Sequence, residues 1–382
     1  MGKVRRLSKR ATPKLDRMLA GAFEGQIQLL GSMDIPYYAP NQLPNDSKII
    51  TRDFLQNNLV TSIPYLVVIV LATLLGTIGN ILVIGAVLSN KVLRTEGNCF
   101  ILNLAIADIS VSCFVDPMSI VGVIKGEAFF HYQPILCELI ASVCLTACFC
   151  SLLSIGAISL NRYIHICHHN NYAAIYTKRN TILMCLGLWV LSFMLEMPNF
   201  FGWGDHVYDQ KTLNCVWDRS ADFSYTMFFS CAGVLFPLVI ISVCYYKIYA
   251  CVVRSKSRVA AASAAAASQV KNDFDRTKDK RESIRLSRTL FVIFVVFAVC
   301  WSPYAIIVAA DINDAWPREV HLYSILLAHS NSSLNSLVYG ITNRQFRRGY
   351  RKFLRMDRWN MSNTISLTET RGNTFDNNET AL

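Results

Sequence analysis

The residue best placed to do chemistry is Asp108, a carboxylate that lies inside a long apolar run. Residues with oxygen-bearing side chains occur at similar positions in three other apolar runs: Asn80, Ser151, Asn331, Ser332 and Asn335. A carboxylate ringed by hydroxyl and amide groups suits a small hard cation, and it equally suits a protonated acid in a water network. A hydrogen-bonded polar core without an ion is the third interpretation. The spacing alone leaves the three open.

A second set of residues indicates a moving part. The triplet Asn161-Arg162-Tyr163 ends an apolar run, where an arginine ordinarily anchors a helix at the membrane surface. A later run carries Trp301 and Pro303, and proline kinks a helix because it removes a backbone hydrogen bond. Pro237 has the same effect one run earlier. A kink near a terminal arginine predicts a hinge that exposes or buries a partner site.

Other chemistries are poorly supported. The sequence contains no nucleophile elbow, phosphate-binding loop or metal-ligand cluster, so we expect no enzymatic activity and no covalently bound cofactor. The net charge of +11 could suggest nucleic acid. Lysine and arginine collect beside the apolar runs, however, and that placement favours anionic lipid and membrane orientation instead.

The elements that must position these residues are membrane helices. The chain is 53% hydrophobic and 16% charged, whereas a soluble protein carries about a quarter charged residues. A helix needs about 20 apolar residues to cross a bilayer. Seven stretches qualify: 62–89, 98–125, 134–167, 180–202, 222–251, 284–311 and 320–342. The predicted fold class is therefore all-α membrane, with an N-terminal tail at 1–61 and a bundle at 62–342. A further segment follows at 343–358, and the polar tail at 359–382 is predicted to be disordered.

The charge of the loops predicts the orientation. Connections 90–97, 168–179 and 252–283 are basic, as is the segment after 342, whereas the alternate connections carry few lysines or arginines. Basic connections are cytoplasmic, which places the N-terminus outside a multi-pass plasma-membrane protein. Cys137 and Cys215 then face an oxidising compartment and are candidates for a disulfide. Asn45, in Asn45-Asp46-Ser47, is an outside glycosylation acceptor.

Landmark residues fall in every span, and their order resembles that of rhodopsin-like (class A) G-protein-coupled receptors. They are Asn80, Leu104 with Asp108, Asn161-Arg162-Tyr163, Trp189, Pro237 with Tyr245, Phe297 with Trp301 and Pro303, and Asn335 with Tyr339. The resemblance covers about residues 60–356. It implies a seven-transmembrane helix bundle with a short amphipathic eighth helix at 343–358, a Cys137–Cys215 bridge and an allosteric sodium ion at Asp108 and Ser151. We extend that ion site to Asn331, Ser332 and Asn335.

Three stretches are similar to melatonin receptors and their invertebrate relatives, including Moody-like receptors: 161–168, 331–340 and 346–350. In that group an asparagine after the fourth-span proline and an aromatic residue after the loop cysteine hold the ligand. Asn199 and Trp217 match those places. Arg219 and Gly233 replace the group's glutamine and histidine. We therefore expect a small extracellular ligand that need not be melatonin.

The candidate pocket residues exclude two kinds of receptor. Cys144 stands where amine receptors carry an aspartate, and His329 stands where opsins carry the retinal lysine. The resemblance thus implies neither an amine-anchoring ion pair nor a light sensor. The pocket is predicted to contain Cys144, Glu196, Asn199, Trp217, Arg219, Tyr304 and His329. For any single polar residue among them, packing within the bundle is the simpler role.

The resemblance also implies a mechanism. An outside ligand shifts a two-state bundle, Phe297 and Trp301 repack above Pro303, and Arg162, Tyr245 and Tyr339 line a G-protein cleft. Most receptors of the class pair the arginine with a neighbouring acid. Asn161 cannot do so, and Ser283 offers no acid from the sixth span. We therefore predict that the resting state is restrained less and that the receptor signals without ligand.

Several partners are expected at the cytoplasmic side. By resemblance the G protein is of the inhibitory type. Serines and threonines at 362–370 could recruit an arrestin once phosphorylated, and Thr380-Ala381-Leu382 could add a strand to a PDZ-type domain. The alternative class is an ion-conducting or transporting membrane protein, because Asp108 could line an ion path. Transporters usually show internal repeats and paired broken helices, and this sequence shows neither.

Overall fold

The structure is a computed structural model that describes residues 58–263 and 271–354, with side chains described at 58–254 and 288–354. Its principal helices, in chain order, are α1 Leu59–Ser89, α2 Glu96–Lys125, α3 Pro134–Cys167, α4 Lys178–Phe201, α5 Phe223–Arg254 with a continuation to Ser263, α6 Lys271–Ala310, α7 Arg318–Thr342 and α8 Arg344–Phe353. The predicted seven-helix bundle and its eighth helix are confirmed. Asn45, Ser283 and the C-terminal signals are outside the described side chains.

The seventh helix differs from the others in composition. Within the described residues, α1 to α6 are long and apolar enough to cross a membrane. α7 misses that criterion because polar residues interrupt it, and these face the bundle: His321, Ser324, His329, Asn331, Ser332, Ser333, Asn335 and Ser336 are buried. Polar side chains are tolerated at membrane depth where they face other helices. The polar composition of α7 is therefore explained by the many polar side chains that it directs into the interior of the bundle.

α3 lies at the centre and packs against α2, α4, α5 and α6, while α7 packs against α1 and α6. Lipid tails are as apolar as leucine, so polar bonds and close packing hold membrane helices together. Asn103 supplies such a bond between three helices. It donates to Ser154 Oγ at 2.9 Å and accepts from Trp189 Nε1 at 3.0 Å. These contacts hold α2, α3 and α4 together.

A π-helical turn at Val111–Val115 interrupts α2. An α-helix turns by about 100° per residue, so Asp108 and Asp116 would lie about 80° apart on a regular helix. A π turn absorbs one residue and rotates the following side chains back towards the first face. Both carboxylates are in fact fully buried. A second π turn, at Phe229–Leu235, lies in α5.

A two-stranded hairpin covers the end of the bundle opposite Arg162, and the prediction of a purely helical fold did not include it. Strand β1, His206–Asp209, pairs antiparallel with strand β2, Asn214–Trp217. The disulfide Cys137–Cys215 ties β2 to the first turn of α3. We call this the disulfide end, and the opposite end the Arg162 end.

Candidate functional site

Asp108 is held at the middle of the bundle by two hydrogen-bond donors. Ser151 Oγ donates to Asp108 Oδ1 at 3.2 Å, and Asn335 Nδ2 donates to Oδ2 at 2.9 Å. α2, α3 and α7 thus each supply one member. A carboxylate oxygen accepts more than one hydrogen bond, so each oxygen of Asp108 retains acceptor capacity. The arrangement suits a cation or further donors.

The remaining predicted cation ligands lie along α7. The side-chain carbonyl oxygens of Asn331 and Asn335 are buried and have no hydrogen-bond partner among the described residues. The backbone carbonyl of Ser332 accepts from Asn80 Nδ2 at 2.9 Å, which ties α7 to α1. Unpartnered buried oxygens are costly, and oxygen is the ligand that hard cations prefer. The residues present therefore fit a small hard cation beside Asp108.

A cavity of 230 Å³ opens between α3, α5, α6 and the hairpin. Three of the predicted pocket residues line it: Cys144, Trp217 and Tyr304. Trp301 also lines it, and the buried Nε1–H of Trp301 has no hydrogen-bond partner among the described residues. A second cavity of 620 Å³ lies between α2, α3 and α4 with almost wholly apolar lining, and none of these four residues lines it.

Glycine at position 233 reshapes the cavity. A Cβ built on Gly233 would overlap the ring of Phe149, which lines the same cavity. Phe149 and Phe229 pack with ring centroids 4.9 Å apart, and Trp217 stacks on Phe229 at 4.5 Å. Aromatic rings therefore fill the space that a larger side chain at 233 would need. Sequence analysis did not identify Phe149 or Phe229, since any aromatic residue in a span reads as packing.

Four predicted pocket residues are engaged elsewhere in the structure. Glu196 pairs with His206 of β1 at 2.7 Å, and both side chains are almost completely buried. Asn199 donates to Tyr225 Oη at 2.7 Å. Arg219 pairs with Asp314, and His329 Nδ1 lies 3.2 Å from Asp116 Oδ1. None of the four lines the 230 Å³ cavity.

Asp311 organises the loop between α6 and α7. Its oxygens accept from the backbone N–H groups of Ala315 and Trp316, and its Oδ2 lies 2.9 Å from His321 Nε2. Partial desolvation opposes ionisation of Asp311, but these donors outweigh it and lower the pKa of the carboxyl below its ordinary value. Asp311, Asp314 and His321 could in principle hold a metal. Arg219 and Lys211 already pair with Asp314, so the group acts as a loop fastening.

The Arg162 end is arranged differently. Arg162 is buried, and no carboxylate lies within ion-pair distance of it among the described side chains. Its guanidinium lies against Gly97 of α2, where a Cβ would overlap it. Asn161 Nδ2 donates to Tyr172 Oη at 3.3 Å instead of binding the arginine. Tyr163 Oη and His168 Nε2 share a hydrogen bond of 2.9 Å.

Aromatic contacts connect the cavity to this end. Phe297 and Trp301 stack with centroids 5.9 Å apart, within the two turns before Pro303, which lies inside α6. Tyr245 of α5 stacks on Phe294 of α6, at 6.1 Å. Tyr339 stacks on Phe346 of α8 at 4.9 Å, and its hydroxyl has no hydrogen-bond partner among the described residues. Four of the residues predicted for activation thus lie along α5, α6 and α7 between the cavity and the Arg162 end: Tyr245, Phe297, Trp301 and Tyr339.

Comparisons with known proteins agree with this architecture. The family model described as 7 transmembrane receptor (rhodopsin family) matches residues 79–339. Human melatonin receptor type 1B is 33% identical over 305 residues, which is 78% of this chain and 80% of that receptor. Mouse melatonin receptor type 1A is 31% identical over 293 residues, 75% of this chain and 79% of that receptor. The crystal structure of squid rhodopsin matches with a TM-score of 0.64 at 22% identity, covering 76% of this chain and 85% of that one.

Proposed function

The chain belongs to the rhodopsin family of seven-transmembrane receptors, and on that premise we propose that its activating ligand is a small, largely apolar molecule with one hydrogen-bond acceptor. As a receptor of this class it transmits an extracellular ligand signal to heterotrimeric G proteins. We further propose that it does so at the plasma membrane, with the disulfide end outside. The basic connections beside Arg162 support that orientation, as does the disulfide itself.

The 230 Å³ cavity is the observation that carries the ligand proposal. Its wall combines aromatic rings with few polar groups, which is typical of sites for small apolar ligands. The unpartnered Nε1–H of Trp301 supports a ligand that brings one acceptor, because an unsatisfied buried donor is costly. Trp217 and Tyr304 then hold the faces of the ligand.

Melatonin itself fits this proposal less well than another small ligand. Gly233 stands where melatonin receptors carry a histidine, and the ring of Phe149 fills the space beside it. Arg219 pairs with Asp314 and does not line the cavity. Asn199 bonds to Tyr225. Three positions that would mark a melatonin site are thus altered or engaged. We propose a ligand specific to this receptor's own lineage.

We propose a sodium ion as an allosteric partner at Asp108, Ser151 and Asn335, with Asn331 and Ser332 adjoining. The unpartnered oxygens of Asn331 and Asn335 support it. Such an ion would supply positive charge to a buried carboxylate. The protein residues hold α2, α3 and α7 together around that charge, so sodium would favour the arrangement in which these helices converge.

We propose an inhibitory-type G protein as the main partner, with appreciable basal signalling. Arg162 lacks an acidic partner among the described side chains, so less free energy restrains the resting state. Recruitment of an arrestin to a phosphorylated tail and of a PDZ-type domain to Thr380-Ala381-Leu382 are further proposals, and those residues lie outside the described ones.

The test uses the full-length receptor in lipid nanodiscs with purified inhibitory-type and stimulatory-type G proteins. Panels of indoles, apolar lipids and short peptides are scored by ligand-stimulated nucleotide exchange. We expect an apolar small molecule to stimulate exchange on the inhibitory type and Trp217→Leu to abolish the response. Trp203→Leu is the matched control, because Trp203 lies outside the cavity and bonds to Ser224.

A response that survives Trp217→Leu, or one restricted to peptides, would overturn the ligand proposal. Ion flux through receptor vesicles in the absence of any nucleotide exchange would overturn the assignment of coupling. Asn199→Ala separates the melatonin-like mode from ours, because we expect it to alter folding yield rather than ligand potency. A selective loss of potency would favour the melatonin-like mode.

A further inference from the structure

A thiol, an imidazole and a carboxylate meet beside the 230 Å³ cavity, one from each of α3, α7 and α2. Cys144 Sγ lies 3.7 Å from His329 Nε2, and His329 Nδ1 lies 3.2 Å from Asp116 Oδ1. All three side chains are more than nine-tenths buried. We propose that this cluster binds a zinc ion, with Cys144 and His329 as ligands and Asp116 as the residue that orients His329.

The distance between the two donor atoms fits one bridging ion. Zinc–sulfur bonds are about 2.3 Å and zinc–nitrogen bonds about 2.0–2.1 Å long, so a tetrahedral ion holds the two atoms about 3.5 Å apart. Cys144 Sγ and His329 Nε2 are already 3.7 Å apart on two different helices. One ion can therefore engage both with little movement of α3 or α7.

Asp116 completes the pattern of a metal-bound histidine. Such a histidine usually gives its other ring nitrogen to a carboxylate, which fixes the tautomer and the ring orientation. His329 is the single ion-pair partner of Asp116 among the described side chains, and neither carboxylate oxygen has a conventional hydrogen bond there. With Nδ1 directed at Asp116, Nε2 is presented to Cys144. A buried carboxylate also requires nearby positive charge, which the ion supplies.

The donor pair favours zinc over the hard cations. A thiolate and an imidazole are soft ligands, which select zinc over sodium, magnesium or calcium. Two protein ligands leave further positions for water or another molecule, as in zinc sites that bind a substrate. Cys144 lines the 230 Å³ cavity, so the ion would lie where a ligand is taken up.

The carboxylate group at Asp311, Asp314 and His321 does not compete for this assignment. Arg219 and Lys211 pair with Asp314, and backbone N–H groups occupy Asp311. The cysteine–histidine cluster, by contrast, has no lysine or arginine within ion-pair distance of Asp116 among the described side chains.

Cobalt substitution tests the ligands directly, without any need for G-protein coupling. Purified full-length receptor in nanodiscs is titrated with Co²⁺, and we expect one ion per receptor with a thiolate-to-cobalt charge-transfer absorption. Cys144→Ser should abolish that absorption. Cys231→Ser is the control, because Cys231 is a free thiol on α5 outside both the cluster and the cavity lining. Failure to see the absorption, or its persistence in Cys144→Ser, would overturn the site.

A second measurement uses the unaltered protein and so does not depend on the folding of a variant. Zinc should protect Cys144 from alkylation by a small maleimide, as quantified on its peptide by mass spectrometry. At free zinc a hundred times the Kd, about 1% of sites remain open, so alkylation should slow about 100-fold. Alkylation of Cys231 should not change. Equal rates at Cys144 with and without zinc contradict the proposal.

Asp116→Asn tests the orienting role. Loss of a carboxylate behind a metal-bound histidine weakens metal affinity by about 10- to 100-fold. We expect that loss, with the charge-transfer absorption regained at saturating cobalt, which also shows that the variant is folded. An unchanged affinity would remove Asp116 from the site.

Discussion

The two ends of the bundle differ in how their buried charged groups are paired. Towards the disulfide end, three buried carboxylates each face a histidine: Glu196 faces His206, Asp311 faces His321 and Asp116 faces His329. At the Arg162 end, Arg162 Nε, Asn161 Oδ1 and Tyr339 Oη are buried without hydrogen-bond partners among the described residues. The disulfide end therefore pairs its buried carboxylates with histidines, whereas the buried arginine at the other end has no carboxylate partner among the described side chains.

This difference indicates which end is fixed and which end changes. Removing one member of a buried pair leaves an uncompensated charge, so paired groups resist rearrangement. Unpartnered buried groups raise the free energy of their own state, and a partner that satisfies them stabilises a different arrangement. The carboxylate–histidine pairs hold the disulfide end in one arrangement, while the Arg162 end would gain free energy from a partner that satisfies its buried groups. The following variants break or sharpen this contrast, in order of expected effect.

The largest effect should come from splitting the Glu196–His206 pair. Glu196→Leu leaves a buried histidine without its partner, and such losses cost about 3–5 kcal/mol of unfolding free energy. Chemical unfolding in detergent measures the change. The matched variant Glu196→Leu with His206→Leu replaces both groups and should recover most of the stability. If the double variant is as unstable as the single one, the Glu196–His206 pair does not explain the stability of the disulfide end.

A smaller effect is expected when an acid is restored at the Arg162 end. Asn161→Asp places a carboxylate next to Arg162, and a hydrogen bond to a charged group contributes about 1.5–3 kcal/mol. Because 1.4 kcal/mol is a factor of ten, basal nucleotide exchange should fall about tenfold or more. Ligand-free exchange on a purified G protein measures it. Equal basal rates in the unaltered receptor and in Asn161→Asp would show that the missing acidic partner of Arg162 does not affect basal signalling.

The hydrogen bonds of Asp311 should make the stability of the receptor depend on pH in the acid range. The pKa of Asp311 is lowered in the folded protein, so its ionised form stabilises the fold. This stabilisation is complete above the ordinary aspartate pKa of about 3.9. It is lost as the pH falls from that value through the lower pKa of the folded state. The Tm of the receptor should therefore decline across this acid window. Asp311→Asn should start with a lower Tm and decline less. Parallel Tm profiles would contradict the assignment.

The helices and the mid-membrane residues could be predicted because their signals are local. Apolar runs set the spans, and the bounds of α3 coincide with the predicted 134–167. Asp108, Ser151 and Asn335 meet because their places on α2, α3 and α7 follow from helix order. The pairing of Glu196 with His206 could not be predicted, because it joins α4 to a hairpin that has no local signal of its own.

Only three of the seven predicted pocket residues line the 230 Å³ cavity, and the same physical reason accounts for the other four. Glu196, Asn199, Arg219 and His329 are polar residues near the mouth of the bundle, and sequence alone cannot say whether such a residue faces a cavity or a neighbour. The π turn at Val111–Val115 rotates Asp116 towards His329, and nothing in its composition distinguishes it from regular helix. Partners across helices decide function here, and they are fixed only by tertiary packing.

The smallest effect on stability, and the sharpest test of the contrast, comes from Gly97→Ala. An alanine Cβ would overlap the guanidinium of Arg162, which can shift because it ends a flexible side chain. In the middle of a helix alanine is favoured over glycine by about 0.5–1 kcal/mol, and the gain is smaller at Gly97, the second residue of α2. We therefore expect an unchanged or slightly raised Tm together with an altered basal exchange rate. Gly187→Ala on α4 is the control, because nothing lies within 4 Å of its added Cβ. If both variants leave exchange unchanged, the position of Arg162 against α2 does not govern coupling, whereas a change restricted to Gly97→Ala ties the unpartnered end directly to the signalling state.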